Sequence, residues 1–265
     1  MRISHLFIYP IKSGPGIAVE VAQAQERGLE HDRRFMVVVA ATGEFMSQRS
    51  HPPLGRCSLR IEGDRLLLEA DGLAPCSCPL TPSQGPELEV SVWSDTMTAT
   101  RVSDELDAFF TALVGEPARL VYMPEQTRRP IEGIDGLAVS FADGYPILIT
   151  NTASLVDLQG RIGGSAVPML AFRPNIVVEA DPAWAEDEWS LLRSDATTLE
   201  CTSGCERCSM TLLDPARPDR PRADGEPLRT LATFRRDDSG KVIFGRNVVV
   251  RGAGSLRVGD TLLPA

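Results

Sequence analysis

Lysine is nearly absent. Only Lys12 and Lys241 occur among the 27 basic residues of this 265-residue chain, and the rest are arginine. Most of that bias reflects genome composition, but it leaves Lys12, in a turn-rich segment, as a residue to account for. Positive charge is also in deficit: 36 Asp plus Glu against 27 Lys plus Arg give a net charge of −9. Such a chain has no basic excess to neutralise phosphates, so no nucleic-acid partner is expected. Any anionic ligand must be met by a local cluster of cations. Long apolar runs are missing too. No stretch reaches the about 18 residues of a membrane helix, so no membrane association is expected. The opening MRISHLFIYPIKSG has a short apolar stretch broken by a proline and no small-residue cleavage site, so it does not read as a secretion signal. A cytoplasmic location is expected, and there the six cysteines (Cys57, Cys76, Cys78, Cys201, Cys205, Cys208) are thiols or metal ligands rather than disulfides.

What is present suffices for a core. Hydrophobic residues make up 43% and charged residues 24%, ordinary for one large domain or two small ones. Strand signals dominate. Residues 2–10 and 17–24 carry apolar runs separated by turn residues, and Arg34–Ala40 is a β-branched run. Residues 57–61 and 65–69 flank Gly63-Asp64 as a hairpin, and 88–93 and 97–102 flank Ser94-Asp95 as another. One helix then follows: Ser103 caps it, Asp104 and Glu105 occupy its first turn, its apolar residues fall at helical spacing and Gly115 ends it. Residues 124–144 read as a Pro/Gly-rich junction, and 74–86 as a loop. A buried strand at 147–150 leads into a second helix from Thr152 to Arg161. Further strands are expected at 175–180, 198–202, 209–213, 242–250 and 256–263.

The densest soft-ligand site is Cys201-Thr-Ser-Gly-Cys205-Glu-Arg-Cys208. Structural zinc wants four ligands, and the cluster supplies three. C-x3-C-x2-C is also the spacing of radical iron–sulfur enzymes, but these carry it near the start of a large α/β barrel, whereas here it lies close to the end among strands. A single metal-binding thiolate is the third reading, with Arg207 beside Cys208 favouring the thiolate form.

Seven motifs in order resemble the molybdenum cofactor sulfurase C-terminal (MOSC) superfamily and its associated N-terminal β-barrel domain. They are Tyr9-Pro-Ile-Lys-Ser13, Asp32-Arg-Arg-Phe35, Phe45-Met-Ser-Gln-Arg49, Ser140-Phe-Ala-Asp-Gly-Tyr-Pro146 with Asn151-Thr-Ala-Ser-Leu155, Phe172-Arg-Pro-Asn-Ile-Val-Val178, Cys205-Glu-Arg-Cys208-Ser-Met-Thr-Leu-Leu-Asp-Pro215 and Phe244-Gly-Arg-Asn247. Among well-understood proteins the resemblance is to the amidoxime-reducing components of mitochondria and their bacterial counterparts. It implies an α+β, mostly β fold: an N-terminal β-barrel-like domain over 1–123 and a MOSC β-barrel with flanking helices over 124–265. It implies the molybdenum cofactor, with Cys208 as metal ligand and catalytic residue. The implied cofactor-binding residues are Lys12, Ser13, Arg34, Asp143, Gly144, Arg173, Asn175, Glu206, Arg207, Cys208 and Asn247. These types suit an anionic pterin: guanidinium forks and an ammonium hold phosphate, and amides read a pterin edge. The implied activity is reduction of small N-hydroxylated substrates, N–OH to N–H. Electrons would come from a separate donor protein of ferredoxin, flavoprotein or cytochrome type, since no ferredoxin-like cysteine set is present. A cofactor carrier without turnover would need the same residues. Two positions depart from the pattern: Glu206 stands where Ser or Pro is usual, and Leu212 replaces the second Thr.

Overall fold

The computed structural model describes every residue except Ser165, and the side chain of Asp219 is likewise outside the description. The first half runs through β1 (Arg2–Ile8), β2 (Ile17–Val19), β3 (Val21–Gln25), β4 (Gly28–Leu29) and β5 (Phe35–Val39). Next come β6 (Ser58–Glu62), β7 (Arg65–Glu69), β8 (Cys76–Pro79), β9 (Glu87–Val92), β10 (Asp95–Arg101), α1 (Asp104–Val114) and β11 (Ala118–Tyr122). The second half holds β12 (Arg129–Ile131), β13 (Ile134–Val139), β14 (Ile147–Asn151), α2 (Thr152–Ile162), β15 (Ile176–Glu179), β16 (Leu191–Arg193) and β17 (Thr198–Glu206). It closes with β18 (Leu213–Asp214), β19 (Arg217–Pro221), α3 (Leu228–Leu231), β20 (Ile243–Gly252), β21 (Gly254–Arg257) and β22 (Leu263–Pro264). The fold is α+β and mostly β, as the sequence implies.

An eight-stranded sheet in the order β2-β1-β15-β14-β20-β17-β16-β22 forms the framework. Among the described residues its one parallel pair is β14–β15, and α2 supplies the crossover that a parallel pair requires. Strands β1 and β2 come from the start of the chain: β1 pairs antiparallel with β15, and β3 pairs with β21. The sheets therefore do not follow the linear halves. A second sheet, β5-β11-β10-β9, and a third, β6-β7-β8, belong to the first half. One core lies behind the large sheet (Ile3, Leu6, Ile149, Ile176, Leu199, Val248). Another lies beneath α1, where Phe109 and Phe110 meet Phe35 and Leu120.

Helix α1 forms as its sequence dictates. The Ser103 side chain accepts from the Leu106 N–H at 3.2 Å, and Gly115 at φ 84° closes the C-terminus. Four segments differ from expectation. Residues 209–213 form a 3₁₀ turn over Ser209–Leu212, because the Thr211 N–H and hydroxyl both bond back to the Cys208 carbonyl, at 3.1 and 3.0 Å. The 124–144 junction holds the β12–β13 hairpin, and the 74–86 loop contains β8. The expected strand 256–263 is two short strands, β21 and β22, on different sheets.

Candidate functional site

An open cleft of about 460 Å³ lies where loops of the first half meet the large sheet. Ten of the eleven sequence-expected residues line it: Lys12, Ser13, Asp143, Gly144, Arg173, Asn175, Glu206, Arg207, Cys208 and Asn247. They arrive from five separate stretches of chain. The turn after β1 brings Lys12 and Ser13, the loop before β14 brings Asp143 and Gly144, and the loop before β15 brings Arg173 and Asn175. The end of β17 brings Glu206 to Cys208, and β20 brings Asn247. Its volume and mixed polar and apolar walls suit a small-molecule ligand.

Lys12 is buried, at 3% exposure. Its ammonium donates to the Phe141 carbonyl at 2.8 Å and to Asp143 Oδ1 at 2.6 Å. Burial pushes its pKa below the ordinary value, and Asp143 opposes that shift. Burial works to raise the Asp143 carboxyl, but Lys12, Arg33 and the Trp93 indole win and hold it down at about 2. Its side chain still opens to the cleft, 68% exposed.

A cation pair faces them. Arg33 and Arg173 stack on the Tyr9 ring, with guanidinium carbons 4.5 and 4.3 Å from its centroid. Both arginines have left-handed backbone, at φ 49° and 56°, a conformation that non-glycine residues hold only where surroundings enforce it. Buried Asp32 anchors the pair: it accepts from Arg33 Nη1 at 2.6 Å, from the Tyr9 N–H at 2.8 Å and from Asn175 Nδ2 at 3.0 Å. Burial raises the Asp32 carboxyl, and Arg33 pulls it back. Arg173 loses solvation and sits beside Arg33, which brings its pKa down to about 10. It remains a cation near neutrality.

Arg207 adds a further positive group. It donates Nη1 to Cys205 Sγ at 2.8 Å and Nη2 to the Phe172 carbonyl at 2.7 Å. Its Nε is buried with no partner among the described residues, a donor left over beside the cleft. A Cβ added to Gly144 would meet nothing within 4 Å, so ligand can approach that backbone closely. Cys208 is exposed, and Cys205 is half-buried. Phe45, Arg49 and Trp93 form the rim, with Phe45 edge-on to Trp93 at 4.9 Å and Arg49 stacked on it at 5.2 Å.

Arg34 is the one expected residue that lies elsewhere. It donates Nη2 to the Met123 carbonyl at 2.6 Å, pairs with Glu125 at 2.6 Å and stacks on Tyr122. Arg33 takes its place: its left-handed backbone at φ 49°, just ahead of β5, sends the two neighbouring side chains to different sides. Two expected residues line the cleft with their polar groups already committed. The Asn175 amide oxygen accepts from Arg33 and from the Leu148 N–H, and its nitrogen donates to Asp32 and the Phe7 carbonyl. It positions Arg33. Glu206 pairs with Lys241 at 2.7 Å, which draws its charge away from the cleft. Asn247 donates to the Ser203 hydroxyl at 3.1 Å. Arg33, Ser47, Arg49 and Trp93 are cleft residues that the sequence reading passed over. All but Trp93 stood inside motifs already quoted.

The cysteine cluster does not gather. Cys201 packs into the sheet core, where burial raises its thiol to about 11. Bulges between Cys201 and Ser203 and between Gly204 and Glu206 break the alternation of β17. Among the described residues, no three His, Cys, Asp or Glu side chains converge on a metal position, which removes the geometry that zinc or an iron–sulfur cluster needs.

Fold and cleft together define a MOSC-type protein. Residues 1–117 match the MOSC N-terminal beta barrel domain, and residues 136–263 match the MOSC domain. The chain is 32% identical to mitochondrial amidoxime reducing component 2 of Rattus norvegicus, over 97% of this chain and 81% of that protein. Component 1 of Homo sapiens is 32% identical over the same shares, 97% and 81%, and component 2 of Bos taurus is 34% identical, again over 97% and 81%. The chain belongs to the family of the mitochondrial amidoxime-reducing components. Among the described residues, no helix is long and apolar enough to cross a membrane.

Proposed function

We propose that this chain is a molybdenum-cofactor-dependent oxidoreductase that reduces N-hydroxylated compounds. The observation that carries the reading is the convergence of Lys12, Arg33, Arg173 and Arg207 on the cleft that also exposes Cys208. An acidic protein has gathered four cations around one accessible thiol, and this suits an anionic, metal-bearing ligand. The leftover Arg207 Nε and the open space at Gly144 fit the same group.

Cys208 would hold the metal as thiolate. Arg33, Arg173 and Arg207 would hold the terminal phosphate, with Lys12 as an added point charge fixed by Asp143. Ser13, Gly144 and Asn247 would meet the pterin edge. Asp32 and Asn175 keep Arg33 in place. When bound, the cofactor supplies a two-electron redox centre. The overall reaction turns N–OH into N–H and releases water, consuming two electrons and two protons. A separate donor protein would supply the electrons. The names of the relatives favour amidoximes as the substrate class.

The test is expression in a host that makes the cofactor, with wild type and Cys208→Ala compared by metal mass spectrometry and by benzamidoxime reduction with a chemical electron donor. We expect molybdenum near one per chain in wild type, with loss of metal and turnover in the variant. Surviving turnover in Cys208→Ala removes the ligand assignment. Molybdenum without turnover in wild type favours the carrier reading.

A further inference from the structure

The proposed reduction consumes two protons, and several polar groups of the cleft wall are poorly placed to give them: the Lys12 ammonium is held by the Phe141 carbonyl and Asp143. Asp143 stays ionised beside Lys12 and Arg33. Arginines do not release protons near neutrality. Glu206 faces Lys241. Tyr9 is buried between two guanidiniums, donates to the Pro174 carbonyl at 3.1 Å and has its phenol pushed up to about 12.

A hydrogen-bonded chain reaches the cleft from outside instead. Ser47 lines the cleft and is buried, at 6% exposure. Its hydroxyl lies 3.2 Å from the Ser50 hydroxyl, which lies 2.9 Å from His51 Nδ1. The other ring nitrogen, Nε2, lies 2.6 Å from Glu116 Oε1, whose side chain is 46% exposed. The Ser50 hydroxyl is also within 3.2 Å of the Ser47 carbonyl, so a rotation about its own C–O bond turns it from that oxygen to the Ser47 hydroxyl. The segment is rigid: Ser47 and Ser50 bond one another through backbone N–H groups as well, at 3.1 and 3.4 Å, and the turn leads directly into the Pro52–Arg56 3₁₀ helix. Histidine is the side chain whose proton affinity lies nearest neutrality, and of the three in the chain only His51 has a carboxylate partner among the described contacts.

We propose that Glu116, His51, Ser50 and Ser47 form a proton relay from solvent to the cleft. The inference rests on the reductase reading above. The imidazolium donates from Nδ1 to Ser50 Oγ, Ser50 passes its own proton to Ser47 Oγ, and Ser47 passes its proton to the substrate oxygen as the N–O bond breaks. That oxygen leaves as water once it carries a second hydrogen, the nitrogen keeps the electron pair and takes the second proton, and the two electrons come from the donor protein. Donation from Nδ1 leaves the neutral ring with its hydrogen on Nε2; a turn of the ring about its Cβ–Cγ bond brings that nitrogen round to Ser50 and the bare one to Glu116, through which it takes the next proton from solvent. Ligand and substrate, when bound, would take up space that water fills in the open cleft, and a route through the wall would still deliver protons there. Ser47 is the donor to the substrate; His51 and Glu116 act through it.

The experiment compares wild type, Ser47→Ala, His51→Gln and Glu116→Gln, each loaded with cofactor and checked for molybdenum content. The expected result is wild-type molybdenum and KM, with kcat about 10- to 100-fold lower in Ser47→Ala and His51→Gln, a larger solvent deuterium effect in His51→Gln, and partial rescue of that variant by added imidazole. Nitrogen NMR of the His51 ring reads the chain without turnover: Ser50→Ala should move Nδ1, and Glu116→Gln should move Nε2. Unchanged kcat at full molybdenum overturns the relay, and so does a ring insensitive to both substitutions. Lowered molybdenum in the variants assigns these residues to the cradle and also overturns it. Absence of turnover in wild type, with the ring responding as expected, refutes the reductase reading rather than the hydrogen-bonded chain.

Discussion

Asp143 owes its charge to its neighbours. Its folded pKa, about 2, lies below the ordinary 3.8. A carboxyl depressed in this way adds stability above its unfolded pKa, and that stability is lost as pH falls through the folded value. Asp143→Asn should therefore be less stable than wild type by about 1–2 kcal/mol near neutrality, a modest figure because solvent screens the exposed carboxyl. In urea unfolding the difference should be full near about pH 5 and close toward about pH 2. A difference independent of pH would remove the Lys12–Asp143 pair as its source. The same residues show what is legible at this scale. Lys12, Arg173, Arg207 and Cys208 could be picked out because their types match the chemistry of an anionic, metal-bearing ligand. The choice between Arg33 and Arg34 could not be made, because it depends on a left-handed residue just before β5. Asn175 shows the opposite limit: its type suits a pterin, while its four hydrogen bonds go to the protein.

The turn that presents Cys208 is held by Thr211, which is fully buried. Thr211→Val keeps the shape and deletes the hydroxyl bond to the Cys208 carbonyl. It should cost about 1 kcal/mol, lower the melting temperature and reduce molybdenum retained through purification. Wild-type values on both counts would show that the turn does not secure Cys208. The sequence Ser209-Met-Thr-Leu212 alternates polar and apolar residues and, with Leu213 after it, reads as a strand. The threonine's local bonds override that period, and no pattern count reveals them. Helix α1 was readable because every signal agreed, from cap to apolar face to terminal glycine. The β12–β13 hairpin was hidden because Gly133 and Gly136, both at positive φ, made a strand pair look like a linker.

The chain's two ends close on each other. The Met1 amine donates to the Leu262 carbonyl at 3.0 Å, and the Ile3 N–H donates to the Asp260 carbonyl at 2.9 Å. With β1 against β15 the large sheet takes strands from both halves, and so does the three-stranded sheet in which β3 pairs with β21. A fragment of residues 124–265 would bare the edge of β15, and unpaired edges recruit other strands. It should aggregate alone and become soluble on co-expression with residues 1–123, with size-exclusion chromatography and circular dichroism as the measurements. A folded, monomeric 124–265 fragment would show that β1 and β2 are dispensable to the large sheet. None of this closure was visible from local pattern, because strand partners so far apart leave no periodic trace.

That pairing also sets a clock. The Ser4 hydroxyl bonds the Val177 carbonyl, 173 residues further along. At ~5–20 residues per second of synthesis, β1 waits roughly 10 to 35 s for its partner strand to be made. Through that interval the edge of β1 that pairs with β15 stays open, and Cys208 has yet to leave the ribosome. The cleft is therefore a late product of translation: its cations and its thiol meet only after the chain through Cys208 has been made, and any ligand that needs them all must wait for that point.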